Sequence, residues 1–179
     1  MKIRENCDII IEKHAYAHSL RNKLIDEISP SNFNGDNGGY YTNIVGKKLI
    51  VEQISKSSPS KLIKDWVINL IRNRYHYSDS QTVNYKSDMW FSYYNIGDYC
   101  KIHNHLPFAL FSFVYFVQCP KGSSPLVFET SGKRIKAEEG KVVIFPAIAN
   151  HHVPKNRCDG RIVLAGNVDV NLKSVHSFK

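Results

Sequence analysis

The sequence has few cysteines and no long apolar run. Its four cysteines, at positions 7, 100, 119 and 158, form no CxxC pair, which favours free thiols over two disulfides. No apolar stretch approaches the ~20 residues that span a bilayer. The N-terminal segment MKIRENCD carries charge where a signal peptide needs an apolar stretch. We therefore expect a cytoplasmic protein that does not contact membranes.

Acidic residues are also scarce. There are 16 acidic side chains against 24 Lys and Arg, which gives a formal net charge of +8. Such an excess can indicate an acidic partner or nucleic acid. The basic residues are nevertheless spread along the chain, and they show no combined aromatic and basic patterning. A generally basic, solvated surface is the favoured interpretation, and a protein or peptide partner is favoured over nucleic acid.

The 179 residues are enough for a single domain with a substantial core, and residues 1–82 are predicted to form its helical N-terminal part. Apolar residues at helical spacing predict a first helix over 13–29, which Pro30 ends. A glycine- and asparagine-rich segment predicts a loop over 32–43. An apolar stripe predicts a second helix over about Pro59–Arg74.

Residues 83–179 have the pattern of a β protein. Short β-rich runs alternate with turn residues, and no helical segment separates them. The runs are MWFSYY (89–94), ALFSFVYFV (109–117), PLVFET (125–130), KRIKA (133–137), KVVIF (141–145) and RIVLAGNVDV (161–170). This spacing predicts an antiparallel sandwich or barrel, with the two helices covering one outer face.

Two histidines, His103 and His105, precede the long apolar run. In an extended strand, side chains two residues apart share a face, so both imidazoles are expected to point the same way. Imidazoles are costly to bury without partners, whereas converging imidazoles commonly hold a transition metal. A metal site is one interpretation, and two solvated or structural histidines are the other.

The segment FPAIANHHVP (145–154) offers a third imidazole. Adjacent residues of a strand face opposite sides, so His151 and His152 cannot both enter one site. His151 shares its face with Val153, an apolar residue that is expected to point inward. His152 shares the opposite face with Pro154. His151 is therefore the predicted third ligand.

Arg161 begins an otherwise apolar strand, ten residues beyond His151. A buried guanidinium needs an anionic partner, and its planar fork suits a carboxylate bound through two hydrogen bonds. Val163 and Ala165 would lie on the same face of the strand and leave space for a ligand inside the barrel. An exposed arginine at the start of a strand is the alternative.

Together these residues resemble the iron(II)- and 2-oxoglutarate-dependent oxygenases. The pattern WxxxYxxGDYxxxHxH, an apolar strand, GxxxxFPxxxxH and an arginine ten residues later is met between Trp90 and Arg161. The branch that it resembles most has an HxH motif followed by an SGVYYV-like strand, and it includes prolyl-hydroxylase-like proteins of bacteria and bacteriophages. The resemblance covers about residues 85–170. A viral source would place the protein in the cytoplasm of its host.

The resemblance implies a mainly β fold with N-terminal helices: a double-stranded β-helix, or cupin-like jelly roll, over residues 83–179. It implies that His103 and His151 bind iron(II) and that Arg161 binds the distal carboxylate of 2-oxoglutarate, with ascorbate as an auxiliary reductant. Further residues that it implies at the cosubstrate are Tyr94 and Ser112, as hydrogen-bond partners of that carboxylate, and Asn167.

The sequence departs from the family pattern at two positions. Most members have Asp or Glu where His105 stands, so the metal would be held by three neutral imidazoles. Asp98, in the turn before the strand, or water is the alternative third donor. Phe113 replaces the glycine of the SGV-like strand and is expected to narrow the pocket.

The activity that the resemblance implies is hydroxylation of an unidentified substrate, with a peptidyl residue favoured, and release of succinate and carbon dioxide. Two alternatives stay open. A cupin-type protein with three histidine ligands would bind metal without using 2-oxoglutarate, and Arg161 argues against it. A non-catalytic binding module of a phage would have degenerate ligands and fail to bind iron.

Overall fold

The computed structural model describes residues 8–28, 45–49, 57–75 and 83–172. The loop predicted over 32–43 lies outside these ranges. The helices are α1 (Ala17–Asp26) and α2 (Pro59–Tyr75). The strands are β1 (Ile10–Lys13), β2 (Val45–Leu49), β3 (Val83–Tyr94), β4 (Cys100–His103), β5 (Phe111–Gln118), β6 (Leu126–Phe128), β7 (Arg134–Ile135), β8 (Lys141–Pro146), β9 (His151–Val153) and β10 (Arg161–Leu172).

The strands form two antiparallel sheets. The larger has six strands in the order β1-β8-β5-β10-β3-β2, and the smaller has four in the order β4-β9-β6-β7. Neighbours in both sheets are mostly distant in sequence, which is the crossing pattern of a jelly roll. The sequence-based prediction of a mainly β jelly roll with N-terminal helices is confirmed.

The two helices pack on the outer face of the larger sheet. Leu24 of α1 and Ile63 and Val67 of α2 are fully buried, and they share one core cluster with residues of β3, β5, β8 and β10. These residues recur at helical spacing, so each helix presents one apolar stripe to the sheet. The predicted second helix is confirmed, and its end differs by one residue from the prediction. Its boundaries could be predicted well because its apolar stripe is long and unbroken.

The N-terminal part also contributes strands, which the helical prediction left out. Ile10–Lys13 pairs antiparallel with β8, and the backbone N–H of His14 donates to the carbonyl of Gly140. The first helix therefore begins at Ala17 rather than at Lys13. Local periodicity gave no sign of this strand, because its pairing partner lies more than a hundred residues away.

A second core cluster fills the space between the two sheets. Phe116 and Val163 of the larger sheet meet Leu126 and Val153 of the smaller one. Successive residues of β10 alternate between the cores: Val163 faces the inter-sheet space, and Leu164 faces the helices. The inter-sheet space is the only interior that both sheets reach among the described residues, so it is where a ligand of the barrel would lie.

The structure bears on two of the absences noted in the sequence. Cys100, Cys119 and Cys158 carry free thiols, as expected, and Cys7 lies outside the described residues. Within the described ranges, neither helix has both the length and the apolar character that a membrane crossing requires.

Phe113 does not narrow the inter-sheet space, so that prediction is wrong. Its side chain is 1% exposed and packs in the core beneath the helices. It lies directly opposite Gly166 of β10, where a Cβ atom would stand only 2.6 Å from a ring carbon of Phe113 and 2.6 Å from the Asp88 carbonyl oxygen. The glycine provides the room that the phenylalanine fills.

We predict that Gly166→Ala destabilises the fold by about 1–3 kcal/mol, the usual cost of overpacking a dense core. The Asp88 carbonyl belongs to the β3 backbone and cannot turn aside. Urea denaturation measures the change, with exposed Lys121→Ala as the control. An unfolding free energy equal to that of the wild type would show that β3 and β10 do not approach as closely as described.

Candidate metal centre

Strands β4 and β9 bring the first two histidines together. The strands are antiparallel, and His103 lies directly opposite His151. Directly opposed residues of a sheet present their side chains on the same face, and the two ring centroids are 4.3 Å apart. The alternation argument therefore placed His151 on the correct side of its strand.

His105 joins them from a loop rather than from a strand. Strand β4 ends at His103, and the backbone N–H of His105 donates to the carbonyl of Ala147, 2.9 Å away. The His105 ring lies 5.0 Å from that of His103 and 5.2 Å from that of His151, centroid to centroid. The two imidazoles converge as expected, although strand alternation is not the reason.

The three imidazoles form a compact group of potential metal ligands. One nitrogen from each of His103, His105 and His151 lies within 4.8 Å of the other two. In the part of the chain that the structure describes, no other group of three such residues converges in this way. Three imidazoles converging on one point suit Fe, Zn, Cu or Ni.

His152 lies outside the group. It is half-buried on the opposite face of β9, where its Nδ1 is 3.3 Å from a carboxylate oxygen of Glu129. Asp98, the alternative third donor, accepts a hydrogen bond from the Asn95 N–H at 2.7 Å. Its carboxylate thus closes the turn before β4 and is not one of the converging groups.

Backbone carbonyls fix the tautomers of two of these histidines. His103 Nδ1 lies 2.8 Å from the carbonyl oxygen of Lys101, and His151 Nδ1 lies 2.9 Å from that of Ala149. A carbonyl oxygen only accepts, so Nδ1 carries the proton in both neutral rings. The unprotonated nitrogen is then Nε2, the atom that can bind a metal, and the carbonyls set the ring orientation.

Burial keeps the imidazoles neutral. It lowers the pKa of His151 to about 3, with a further contribution from the neighbouring His103. It lowers the pKa of His105 to about 4, which His103 lowers further and Asp88 partly raises. Burial also lowers the pKa of His103. A metal at neutral pH would therefore not compete with protons for these nitrogens.

Asp88 is the residue near the site that sequence reasoning missed. It lies opposite Asn167 in the pairing of β3 with β10, and its charge is felt at His105. The sequence did contain an indication of this position. Asp88, Trp90 and Tyr94 are separated by even numbers of positions along β3, so they share a face. The Trp90 ring lies 6.2 Å from the His105 ring.

Arg161 occupies the base of the inter-sheet space. It is completely buried, and its Nε donates to the carbonyl of Ser124 at 3.1 Å. Its Nη1 and Nη2 are buried and have no partner of ordinary hydrogen-bond geometry among the described residues, although a hydrogen bond with Arg161 partly offsets the rise that burial causes in the pKa of the Tyr94 hydroxyl. None of the ion pairs among the described residues includes it. A buried cation with two unused donors is a specific site for an anion with two acceptor atoms.

Aromatic rings flank this guanidinium. Its central carbon lies 4.3 Å from the centre of the Tyr94 ring and 5.6 Å from that of Phe116. Burial raises the pKa of Tyr94 to about 12, although Arg161 opposes the shift. The phenol is therefore protonated and can donate a hydrogen bond beside the unpaired guanidinium nitrogens.

Ser112 and Asn167 lie well away from Arg161. They are directly opposed in β5 and β10, and the Ser112 hydroxyl donates to Asn167 Oδ1 at 3.0 Å. Asn167 lies six positions beyond Arg161 along β10, which corresponds to about 20 Å. The structure thus separates Ser112 from Arg161 along β10, whereas Tyr94 lies directly opposite Arg161 in β3. The shared binding of a carboxylate by these residues stays a prediction.

The fold is similar to that of several solved 2-oxoglutarate oxygenases. A Pseudomonas putida prolyl-4-hydroxylase superposes with a TM-score of 0.70 at 13% identity, over 91% of this chain and 92% of that one. The viral collagen prolyl hydroxylase of Paramecium Bursaria Chlorella virus-1, in complex with 2-oxoglutarate, gives 0.67 at 14% identity, over 90% and 96%. A Trichoplax adhaerens prolyl hydroxylase, bound to a peptide of hypoxia inducible factor, gives 0.63 at 10%, over 90% and 83%.

These neighbours confirm the resemblance at the level of the fold. No family profile and no curated protein matches the sequence, so the likeness rests on structure at identities of 10–15%. What the site does must accordingly be argued from its own residues.

We predict that His103→Ala and His151→Ala each weaken manganese(II) binding by more than the ~10–100-fold that loss of an outer-shell partner costs. Anaerobic calorimetric titration measures the affinity. His105→Asp should retain binding, because a carboxylate oxygen is a good ligand for such ions.

His152→Ala is the matched control, since it removes a neighbouring imidazole on the other face of β9. Its affinity for manganese should equal that of the wild type. A large loss in His152→Ala, together with unchanged binding in His151→Ala, would contradict the assignment of faces.

Proposed function

We propose that the protein is an iron(II)- and 2-oxoglutarate-dependent dioxygenase that hydroxylates a residue of a protein or peptide. The single observation that carries the proposal is the pairing of two features within one barrel. Three imidazoles converge beside the paired strands β4 and β9, and a completely buried guanidinium, whose Nη1 and Nη2 have no hydrogen-bond partner among the described residues, lies at the start of β10. A ligand with a metal-binding group and a distant carboxylate matches both.

The residues of the chain fit iron(II). His103, His105 and His151 would hold it, with Nε2 as the donor atom of the first and third. Three facial imidazoles leave other coordination positions open for a cosubstrate. Asp88 places a negative charge near His105, which partly offsets the missing carboxylate of the usual set.

The residues also fit 2-oxoglutarate. Arg161 has two buried N–H-bearing nitrogens without partners, and the planar fork suits a carboxylate. Tyr94 supplies a protonated hydroxyl beside it. Val163 and Ala165 follow Arg161 on the same face of β10, and neither carries a polar group that would compete for the guanidinium.

When bound, iron(II) with 2-oxoglutarate and oxygen supplies the oxidation: one oxygen atom enters succinate as carbon dioxide is lost, and the other converts a C–H bond into C–OH. The chain itself contributes orientation and exclusion of water. Arg161 and Tyr94 would hold the carboxylate end, and the apolar inter-sheet core, with Phe116 and Leu126 fully buried, would keep water away from the guanidinium.

A peptide substrate is favoured by the nature of the structural neighbours. Three of those with matching folds are named as prolyl hydroxylases, and one of them is bound to a peptide fragment. The target residue of this protein is proposed only as peptidyl. Ascorbate belongs to the proposal as the auxiliary reductant of the assay.

The alternative is a cupin-type protein with three histidine ligands that does not use 2-oxoglutarate. The absence of a carboxylate from the converging group favours it. The unpaired nitrogens of Arg161 favour the oxygenase, because a three-histidine site alone gives no reason to bury a cation at the far end of the barrel.

We predict slow release of succinate from 2-oxoglutarate when the protein is supplied with iron(II), ascorbate and oxygen, even without its prime substrate. Removal of iron by a chelator should abolish the release. Succinate is measured by mass spectrometry against a boiled sample. If the iron-loaded protein releases no succinate above that control, even with pooled peptides, the proposal is wrong. Iron binding without succinate release would favour the cupin-type alternative.

A further inference from the structure

Exposed apolar side chains are concentrated beside the three histidines. Leu106, Phe108 and Leu110 follow His105, and Ile148 precedes His151; each is 43% exposed or more, and Phe108 is 81% exposed. We call these four side chains the apolar rim. Isolated exposed apolar residues need no explanation, but a cluster of them beside a candidate metal centre is typical of an interaction surface.

Backbone hydrogen bonds join the two loops of the apolar rim. The N–H of His105 donates to the Ala147 carbonyl, and the N–H of Ala147 donates to the Leu110 carbonyl, both at 2.9 Å. Leu110 N–H donates to the Val168 carbonyl at 3.1 Å, and Phe108 N–H to the His105 carbonyl at 2.9 Å. The loops are thus tied to each other and to β10, and a platform ordered in advance saves part of the entropy cost of binding.

The loops of the apolar rim contain no charged residue. Their sequences are NHLPFAL (104–110) and FPAIAN (145–150), within a chain of net charge +8. Nucleic acid would require Lys or Arg against its phosphates, and neither of these two loops supplies one. A small free substrate would bind at the histidines and leave the apolar rim in water. A polypeptide with apolar side chains is the occupant that would cover it.

We infer that the apolar rim is the docking surface for a polypeptide substrate in which large apolar residues flank the modified position, with Phe108 as the main anchor. The inference rests on the proposed function, because it assigns the outer part of that same site. Aromatic anchors at the centre of an interface commonly contribute more than their neighbours.

The test compares four fluorescein-labelled probes. Three are peptides of equal length with a central proline, flanked by Phe and Leu, by Lys, or by Glu; the fourth is a single-stranded oligonucleotide. Binding is measured by fluorescence anisotropy with manganese(II) and 2-oxoglutarate, without oxygen. The affinity of the peptide with apolar flanks should be at least about tenfold higher than that of each of the other three probes. Tightest binding by a charged peptide or by the oligonucleotide would overturn the inference, as would no binding by any probe.

Variants then locate the contact. Phe108→Ser should weaken binding of the apolar peptide about tenfold, whereas Phe108→Leu should retain most of the affinity. Ile96→Ser is the matched control: Ile96 is 65% exposed, but it lies in the turn between β3 and β4, which hydrogen-bonds to Asp159 beyond the other end of β9. Thermal unfolding shows that each variant is folded. Equal affinity in Phe108→Ser and the wild type would overturn the assignment.

The binding measurement needs no turnover, so its failure is distinct from failure of the proposed function. Tight binding of the apolar peptide without any succinate release in oxygen would support the docking surface and contradict the dioxygenase. Succinate release without preferential binding of the apolar peptide would support the dioxygenase and contradict the docking surface.

Discussion

A buried cation without a matching anion among the described residues is the constraint on which the rest of the site depends. Arg161 is fully enclosed, and within the described ranges only its Nε has a hydrogen-bond partner, the Ser124 carbonyl. Removing a charge from water without pairing it costs on the order of several kcal/mol, which the rings of Tyr94 and Phe116 offset only in part. The rest of the barrel must hold this residue in place, and β10 does so by pairing with β3 along its whole length and with β5 from Ile162 to Val168. A fold that retains such a cost is explained most simply by a ligand that removes it.

The three imidazoles of the candidate metal centre, unlike Arg161, carry no charge. They are neutral because burial lowers their pKa values, so they would not offset the charge of a bound metal. On the proposed function, the two carboxylates of 2-oxoglutarate match two positive centres, the metal and Arg161. The usual carboxylate ligand is then less necessary, since the cosubstrate and the nearby Asp88 supply negative charge. Metal and cosubstrate should therefore depend on each other more closely than in a site with a carboxylate ligand.

The fold class and the convergence of the three histidines could be predicted from the sequence. The predictions failed where contacts distant in sequence decide the outcome. The choice of His151 over His152 needed only the alternation of a strand, and α2 needed only a long apolar stripe. By contrast, His105 reaches the group through a loop hydrogen bond to Ala147, which no periodicity encodes. The direction of Phe113 likewise depends on the glycine opposite it in β10, and β1 depends on a partner strand far along the chain. The local sequence pattern therefore predicts which residues are candidates for the site. The direction of each side chain depends on strand pairs and loop contacts between residues that are distant in sequence.

The most direct measurement is an anaerobic titration of the iron(II)-loaded protein with 2-oxoglutarate, followed by the visible charge-transfer band of the complex. We expect a saturable band in the wild type. In Arg161→Leu we expect 2-oxoglutarate affinity to fall by about one to two orders of magnitude, the loss expected for a charge-assisted hydrogen-bonding partner, while iron affinity changes little. A band with the same midpoint in both proteins, or no band in the wild type despite bound iron, would contradict the claim that the buried guanidinium anchors the cosubstrate.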